Sequence, residues 1–250
     1  MEFDFDPLAK RYAGSIKELP QSYIRLIAST FNLHATSRII DMGCGSGLLT
    51  VPLAKYSNFV FGVDISHQMI EIAKSQPSGS NVFWVEKDIE HYDFQACDLI
   101  ISYESIHLFP NTAKLLQKCA DGLNKNAYLC MGWCFYNWEL LLEHEIVTTF
   151  KKHGVDWGEW SYQKFNKFYE LIDSKKIKGL TPTKNAHIGI YQEWQVSEIV
   201  EYITSISKAL NLTEGENIHI QSELMDAIKK KHGNVIKGDT QFWIRYSQRR

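Results

Sequence analysis

Short runs of β-branched and other apolar residues recur through the first two-thirds of the chain, each followed by a stretch with helical spacing. Residues 38–42, 59–63, 82–85, 99–102 and 127–135 read as strands, and residues 48–56, 68–75 and 112–123 as the helices between them. The cluster Gly122-Leu123-Asn124-Lys125-Asn126 reads as a turn into the fifth strand. An earlier helix over residues 22–31 carries Tyr23, Leu26, Ile27 and Phe31 on one face. Strand and helix in regular alternation predict a parallel sheet with helices on its faces.

From Asn137 the period changes. Trp138, Leu141, Leu142, Ile146 and Phe150 fit one face of a helix, and Phe165, Phe168, Tyr169 and Ile172 fit another. This stretch reads as a helical insertion after the fifth strand, with a core too small to stand alone. Strands over residues 187–192 and 241–246 follow, with helical stretches 196–210 and 218–231 between them. Lys229-Lys230-Lys231-His232 ends the second of these before Gly233, where positive charge complements the helix dipole.

Composition narrows the function classes. Of 250 residues, 44% are hydrophobic and 22% charged, the balance of a folded globular chain. The formal net charge of −2 argues against a general nucleic-acid binder, which would be basic. No stretch approaches the ~20 apolar residues of a membrane span. The acidic start Met1 to Pro7 lacks the basic and apolar regions of a secretory signal. Five scattered cysteines (Cys44, Cys97, Cys119, Cys130, Cys134) form no C-x-x-C pair and no zinc spacing with histidine, so no metal site is expected. They read as reduced thiols of a cytoplasmic protein.

The chemistry concentrates in Ile39-Ile40-Asp41-Met42-Gly43-Cys44-Gly45-Ser46-Gly47-Leu48, a strand ending in an acid, a glycine turn and a helix start. Such a turn brings backbone close to a ligand. Dinucleotide folds use G-x-G-x-x-G, whereas here the glycines run G-x-G-x-G and Leu48 stands in place of the third. Asp41 would oppose a pyrophosphate but suits a ligand carrying an ammonium and a sulfonium. About twenty residues on, Asp64 ends the second strand, where a carboxylate can accept from both hydroxyls of a ribose. Asp88 follows the third strand, where it can accept from an adenine amino group. Three acids thus fall at one edge of the sheet, the edge where open α/β sheets bind ligands.

In these segments the sequence resembles the class I S-adenosylmethionine-dependent methyltransferases. Ile40 to Gly47, Val63-Asp64-Ile65-Ser66-His67-Gln68-Met69-Ile70, Asp88-Ile89 and Cys97 to Ser102 carry the resemblance, which extends from about Phe5 to Phe135 and to Phe242-Trp243-Ile244. It is nearest to small-molecule enzymes of the trans-aconitate and quinone-biosynthesis type. It implies an α/β, Rossmann-like doubly wound sheet of seven strands, mostly parallel with an antiparallel last strand, plus the helical insertion after strand 5. A single domain over 1–250 would comprise an N-terminal lid and helix (1–36), a cofactor-binding core (37–135), the insertion as an acceptor lid (136–180), and a C-terminal part of sheet and helices (181–250).

The resemblance also implies roles. Gly43 and Gly45 would pack on the methionine part of S-adenosyl-L-methionine, with Asp41 holding its amino group directly or through water. Asp64 would bind the ribose, Ile65 and Met69 would flank the adenine, Asp88 would take its amino group, and the Ile89 backbone its ring nitrogen. Ser102 and Tyr103 would line the methionine side, and Phe5-Asp6-x-x-Ala9-x-x-Tyr12 would form a lid with Tyr12 near the cofactor. Two departures stand out: Ile16-Lys17 replaces an Arg-Pro pair, and His107-Leu108 replaces His-Trp.

Methyl transfer from a sulfonium is an in-line displacement governed by positioning. A base is required only when the acceptor loses a proton, and His107 is the candidate, as base or as a positioning group. Glu104 reads as a solvated loop acid or as an attractor of a cationic acceptor. Trp133, Tyr136, Trp138, Trp157, Trp160 and Tyr191 either wall an acceptor pocket or pack the inserted helices. Glu104, His107, Trp133 and Tyr136 are taken as the pocket residues, with the insertion as its roof. The motifs leave open whether O, N or C is methylated. Alternatives are a non-catalytic cofactor-binding regulator, a nucleic-acid (RNA) methyltransferase, or, least favoured, a dehydrogenase. Ser102-Tyr103-Glu104-Ser105 stands where base-amino methyltransferases carry Asn/Asp-Pro-Pro-Tyr/Phe, which argues against nucleic acid.

Overall fold

The computed structural model describes residues 6–109, 112–155, 170–205 and 212–250. Seven strands form one sheet: β1 (Arg38–Met42), β2 (Phe59–Asp64), β3 (Val82–Glu86), β4 (Cys97–Tyr103), β5 (Leu123–Tyr136), β6 (Lys184–Gln195) and β7 (Val235–Gln248). Their spatial order is β3-β2-β1-β4-β5-β7-β6. The pairs among β1 to β5 are parallel, and β7 runs antiparallel to both β5 and β6. The order reverses between β1 and β4, so the crevice outside their C-terminal ends is the ligand-binding position of this architecture.

The central strands are buried on both faces, as continuous apolar runs in parallel sheets are. One core cluster holds Ile39, Leu99, Ile101 and Cys130 with the helix α2 (Gln21–Thr30) and the C-terminal helices; the other holds Ile40, Met42, Ile100 and Leu129 with α5 (Thr112–Gly122).

Several boundaries differ from the pattern reading. The helix expected over 48–56 shrinks to α3 (Thr50–Leu53). Pro52 has no N–H to give Leu48, and the chain leaves through i→i+3 bonds from Ala54, Lys55 and Tyr56. No separate turn follows Gly122, because β5 begins at Leu123. Leu123 pairs with Cys97 before the register shifts to Tyr128 opposite Leu99, and Asn126 at φ +67° absorbs the excess chain. The inserted helix is two, α6 (Asn137–Leu141) and α7 (Glu143–Lys152), broken at Leu142 (φ −104°, ψ 5°). Trp138, Leu142, Ile146 and Phe150 still share the larger core.

Of the second inserted pattern, Phe165, Phe168 and Tyr169 lie outside the described residues, as do Trp157 and Trp160; residues 170–173 are helical and Ile172 is buried. Two helices, α8 (Val196–Ser205) and α9 (Glu214–His232), sit between β6 and β7. A capping box starts α9, Thr213 accepting from the Glu216 N–H while Glu216 accepts from Thr213. All five cysteines are buried and free. Among the described residues, no helix is long and apolar enough to cross a membrane.

Candidate active site

The glycine turn gives each glycine a different reason to be one. All three hold positive φ, at +67° for Gly43, +52° for Gly45 and +87° for Gly47. A Cβ on Gly43 would lie 2.7 Å from the Ser105 side chain, and one on Gly47 would lie 2.6 Å from Trp84 Cη2. A Cβ on Gly45 would meet nothing within 4 Å. Gly43 therefore admits the loop after β4 and Gly47 admits a β3 indole. Gly45 alone presents open backbone, the surface a ligand can approach.

Ser105 fixes the β4 loop by donating to the Met42 carbonyl (2.7 Å) and pairing with the Ser102 hydroxyl (2.7 Å). Ser102 is fully buried in this bond, so it pins the loop rather than lining the methionine side. That corrects one expectation, and Gly43 facing Ser105 modifies a second. Tyr103 packs against Tyr23, ring centroids 5.9 Å apart.

Three carboxylates gather where the sequence put them. Asp41 is buried at the end of β1 and accepts from Thr50 Oγ1 at 2.6 Å. Burial pushes its carboxyl up to about 7, with Asp64 adding to the rise. A carboxylate so enclosed steadies the turn and offers no open face for contact. Asp64 accepts from the Gly45 N–H (2.8 Å) and the Ser66 N–H (2.9 Å), tying β2 to the open glycine. Burial also raises its pKa, against the lowering effect of those bonds. No lysine, arginine or histidine among the described residues contributes to either acid.

Beside Asp64, Ile65 stands 54% exposed, an apolar side chain free to cover a ring, whereas Met69 is buried under the first turn of α4 (His67–Ser75). Met69 therefore supports that turn from below rather than standing open to an adenine. Asp88 caps the turn Ile89–His91, accepting from the Glu90 N–H at 2.8 Å and contacting His91 at 3.2 Å. The Ile89 N–H is the first of that turn and has no carbonyl within the turn to meet.

The N-terminal segment closes over these groups. Asp6 accepts from the Gln68 N–H (3.1 Å) and the Ser66 hydroxyl, at the start of α4. Helix α1 (Ala9–Ser15) reaches α8 through Ser15 to Ser205 (2.9 Å) and Arg11 to Thr204 (3.1 Å). Tyr12 on α1 lies within the electrostatic reach of both Asp64 and Glu104, which places it across the crevice. Lys17 belongs elsewhere: it lies 3.9 Å over the Trp194 ring and pairs with Glu198.

Glu104 overturns its reading as a solvated acid. It follows β4 at φ +53°, is partly buried, and its Oε1 accepts from the Cys134 N–H at 2.7 Å. Burial drives its carboxyl up to about 7, the Cys134 bonds lowering it less. Tyr136 shares its surroundings but is buried, stacked on Trp138 (5.1 Å). Trp133, on the opposite face of β5, stacks on Trp243 against the other core cluster. The four pocket residues are thus not one group: Glu104 and Tyr136 come together and Trp133 does not. His107 is partly buried in the turn Ile106–Leu108. Tyr191 is 63% exposed on the edge strand β6.

Pattern reading missed Thr50, Ser66, Ser105 and Trp84, each an ordinary residue in sequence that supports a site residue in space. Only Ser66 had a signal, as an N-cap just before a helical run.

Comparison with known proteins agrees with this geometry. Residues 39–126 match the family model described as a methyltransferase domain. A ubiquinone biosynthesis O-methyltransferase of Coxiella burnetii is 35% identical over 146 residues, covering 57% of this chain and 62% of that protein. The chain thus spans about three-fifths of the length of those curated relatives. A malonyl-[acyl-carrier protein] O-methyltransferase of Bacillus cereus is 26% identical over 219 residues, covering 85% of this chain and 79% of the relative. In fold, the chain is similar to the YcgJ protein of Bacillus subtilis (TM-score 0.56, 16% identity, 92% and 99% covered). It is also similar to a Haemonchus contortus phosphoethanolamine N-methyltransferase solved with S-adenosylhomocysteine (TM-score 0.51, 12% identity, 92% and 52% covered). Sheet order, glycine turn and edge carboxylates agree with the family match: residues 39–126 of this chain form a methyltransferase domain.

Proposed function

We propose that the chain methylates a small-molecule acceptor, drawing the methyl group from S-adenosylmethionine. The observation that carries this reading is the pair of enclosed carboxylates, Asp41 and Asp64, around the open Gly45 with no cation beside them among the described residues. A cationic ligand relieves that imbalance, and a pyrophosphate would worsen it. When bound, the cofactor supplies an electrophilic methyl on sulfur.

The chain's own residues do the rest. Asp64 takes the ribose hydroxyls while its bonds to Gly45 and Ser66 hold it in place. Ile65 covers the adenine, and Asp88 and the Ile89 N–H read its edge. Asp41 acts by charge from behind the turn. Tyr12 and the Asp6 latch shut the crevice, excluding water and holding the acceptor in line, where positioning supplies about 7–11 kcal/mol. The insertion, beginning at Tyr136 and α6, forms the acceptor-side wall in this reading, within one domain over 1–250. Five buried free thiols support residence in the cytoplasm.

Incubation with methyl-labelled cofactor and a metabolite extract of the encoding organism tests the reading. Extract-dependent transfer of label with stoichiometric S-adenosylhomocysteine is expected. Tight cofactor binding without any labelled product would refute it.

A further inference from the structure

Glu104 is an enclosed acid at the strand edge that the cofactor scheme leaves unused. Its position is built rather than incidental. A non-glycine residue is held at φ +53°, where a side chain is strained, and the Cys134 N–H fixes Oε1 at 2.7 Å. Around it stand Tyr12 from the lid, Tyr103 at the end of β4, Cys134 and Tyr136 from β5, and Tyr202 from α8. Burial raises the pKa of every one of these phenols and of the thiol, so all stay protonated at neutral pH. Glu104 alone in the cluster titrates near neutrality, and no cation among the described residues faces it. Tyr12 neighbours both Glu104 and Asp64, so Glu104 lies across the crevice from the ribose-binding acid.

We propose that Glu104 is the base that deprotonates the acceptor, and that the acceptor is therefore a hydroxyl or amine rather than a carboxylate. This rests on the methyltransferase reading. In the step, a lone pair of the acceptor oxygen or nitrogen forms the bond to the methyl carbon. The carbon–sulfur bond breaks with its electron pair going to sulfur, and the acceptor's proton passes to the Glu104 carboxylate. One cation and one anion vanish together, so the charge of a poorly hydrated site is unchanged. A carboxylate acceptor would instead set a second anion against Glu104 in low dielectric, and it has no proton to give.

The labelled product from the extract is exposed to hydroxide. Methyl ethers and N-methyl amines survive, whereas methyl esters release methanol. The proposal expects a resistant label, and E104Q should lower kcat for that product at least about 100-fold, the usual worth of a base. Calorimetry in buffers of different ionisation enthalpy gives a readout independent of turnover. Binding of the sulfonium cofactor near pH 7 should expel protons from the wild type, and E104Q should bind S-adenosylhomocysteine normally while releasing measurably fewer, Asp41 supplying the remainder. A hydroxide-labile label, or E104Q with kcat within threefold of wild type, overturns the proposal and leaves the methyltransferase reading standing. Absence of any labelled product overturns both.

Discussion

Replacing Asp41 by Asn should make the unliganded protein more stable and the cofactor site weaker, with the gain growing as pH rises. The Asp41 carboxyl is held near pKa 7 in the fold and returns to about 3.9 in the unfolded chain. A raised folded pKa means the fold prefers the protonated form. Its contribution is intact below about pH 4 and is lost as pH climbs through 7. Integrating that difference, the charge of Asp41 costs the apoprotein about 1.5 kcal/mol at pH 5 and about 4 kcal/mol at pH 8. Asn keeps an oxygen for the Thr50 hydroxyl, 2.6 Å away in the wild type, and carries no charge to desolvate. Urea unfolding followed by tryptophan fluorescence at pH 5 and pH 8 measures the effect. The stability of D41N relative to wild type should rise by about 2.5 kcal/mol between those values. Glu104 titrates in the same range in both proteins and cancels. Affinity for S-adenosylhomocysteine should fall at least tenfold at pH 8. A difference that is flat with pH, or a mutant destabilised at pH 8, would refute the argument that this carboxylate is kept for its ligand.

The glycines give a contrasting pair. Gly47→Ala meets Trp84 at φ +87° and should cost about 2–4 kcal/mol of stability in thermal melts, whereas Gly45→Ala should cost about 1 kcal/mol yet weaken cofactor binding at least tenfold. Asp64→Asn turns an amide N–H toward one of the Gly45 or Ser66 donors. Calorimetry should show cofactor affinity down about 100-fold, with about 1–3 kcal/mol of stability lost. Asp6→Ala unlatches the lid from Ser66 and Gln68. Stopped-flow should show S-adenosylhomocysteine leaving several-fold faster, with about 1 kcal/mol lost from the α4 cap.

The fold was legible because the central strands are so regular. Residues 38–42 match β1 end for end, and β2 and β3 exceed the expected strands by one residue each. A parallel strand buried on both faces writes a continuous apolar run that nothing else in the chain imitates. The misses cluster where a local signal meets a tertiary one. Pro52 shortened a helix whose apolar face looked complete, and Leu142 divided another without altering its buried face. The three acids at the strand ends were legible for the same reason as the strands. Glu104 was legible as a pocket residue but its enclosure was not, because nothing in Ser102-Tyr103-Glu104-Ser105 reveals that the backbone turns left-handed and swings the carboxylate onto β5. Trp133 and Tyr136, three apart on a strand, necessarily point to opposite faces. The period of two already separated them, and reading them as one pocket ignored it.

That error shows what the acids have in common and the aromatics do not. Aromatic side chains in this chain find each other: Tyr136 with Trp138 and Trp194, Trp133 with Trp243, Trp243 with His187 at 4.1 Å. Their contacts are complete without a ligand and contribute to the fold. Asp41, Asp64 and Glu104 have hydrogen bonds but no counter-charge among the described residues, and each is shifted toward neutrality by enclosure. Groups that lower apoprotein stability as pH rises, at one edge of one sheet, are explained by what they meet when the site fills. A cation bound there restores the lost stability through its preference for the folded state, by RT ln(1 + [L]/Kd). Because the sulfonium cofactor carries one positive charge more than its demethylated form, thermal protection should be larger for the former at pH 8 and should converge at pH 5, where Asp41 and Glu104 are protonated. Equal protection at both pH values would mean that these carboxylates do not sense the charge on sulfur.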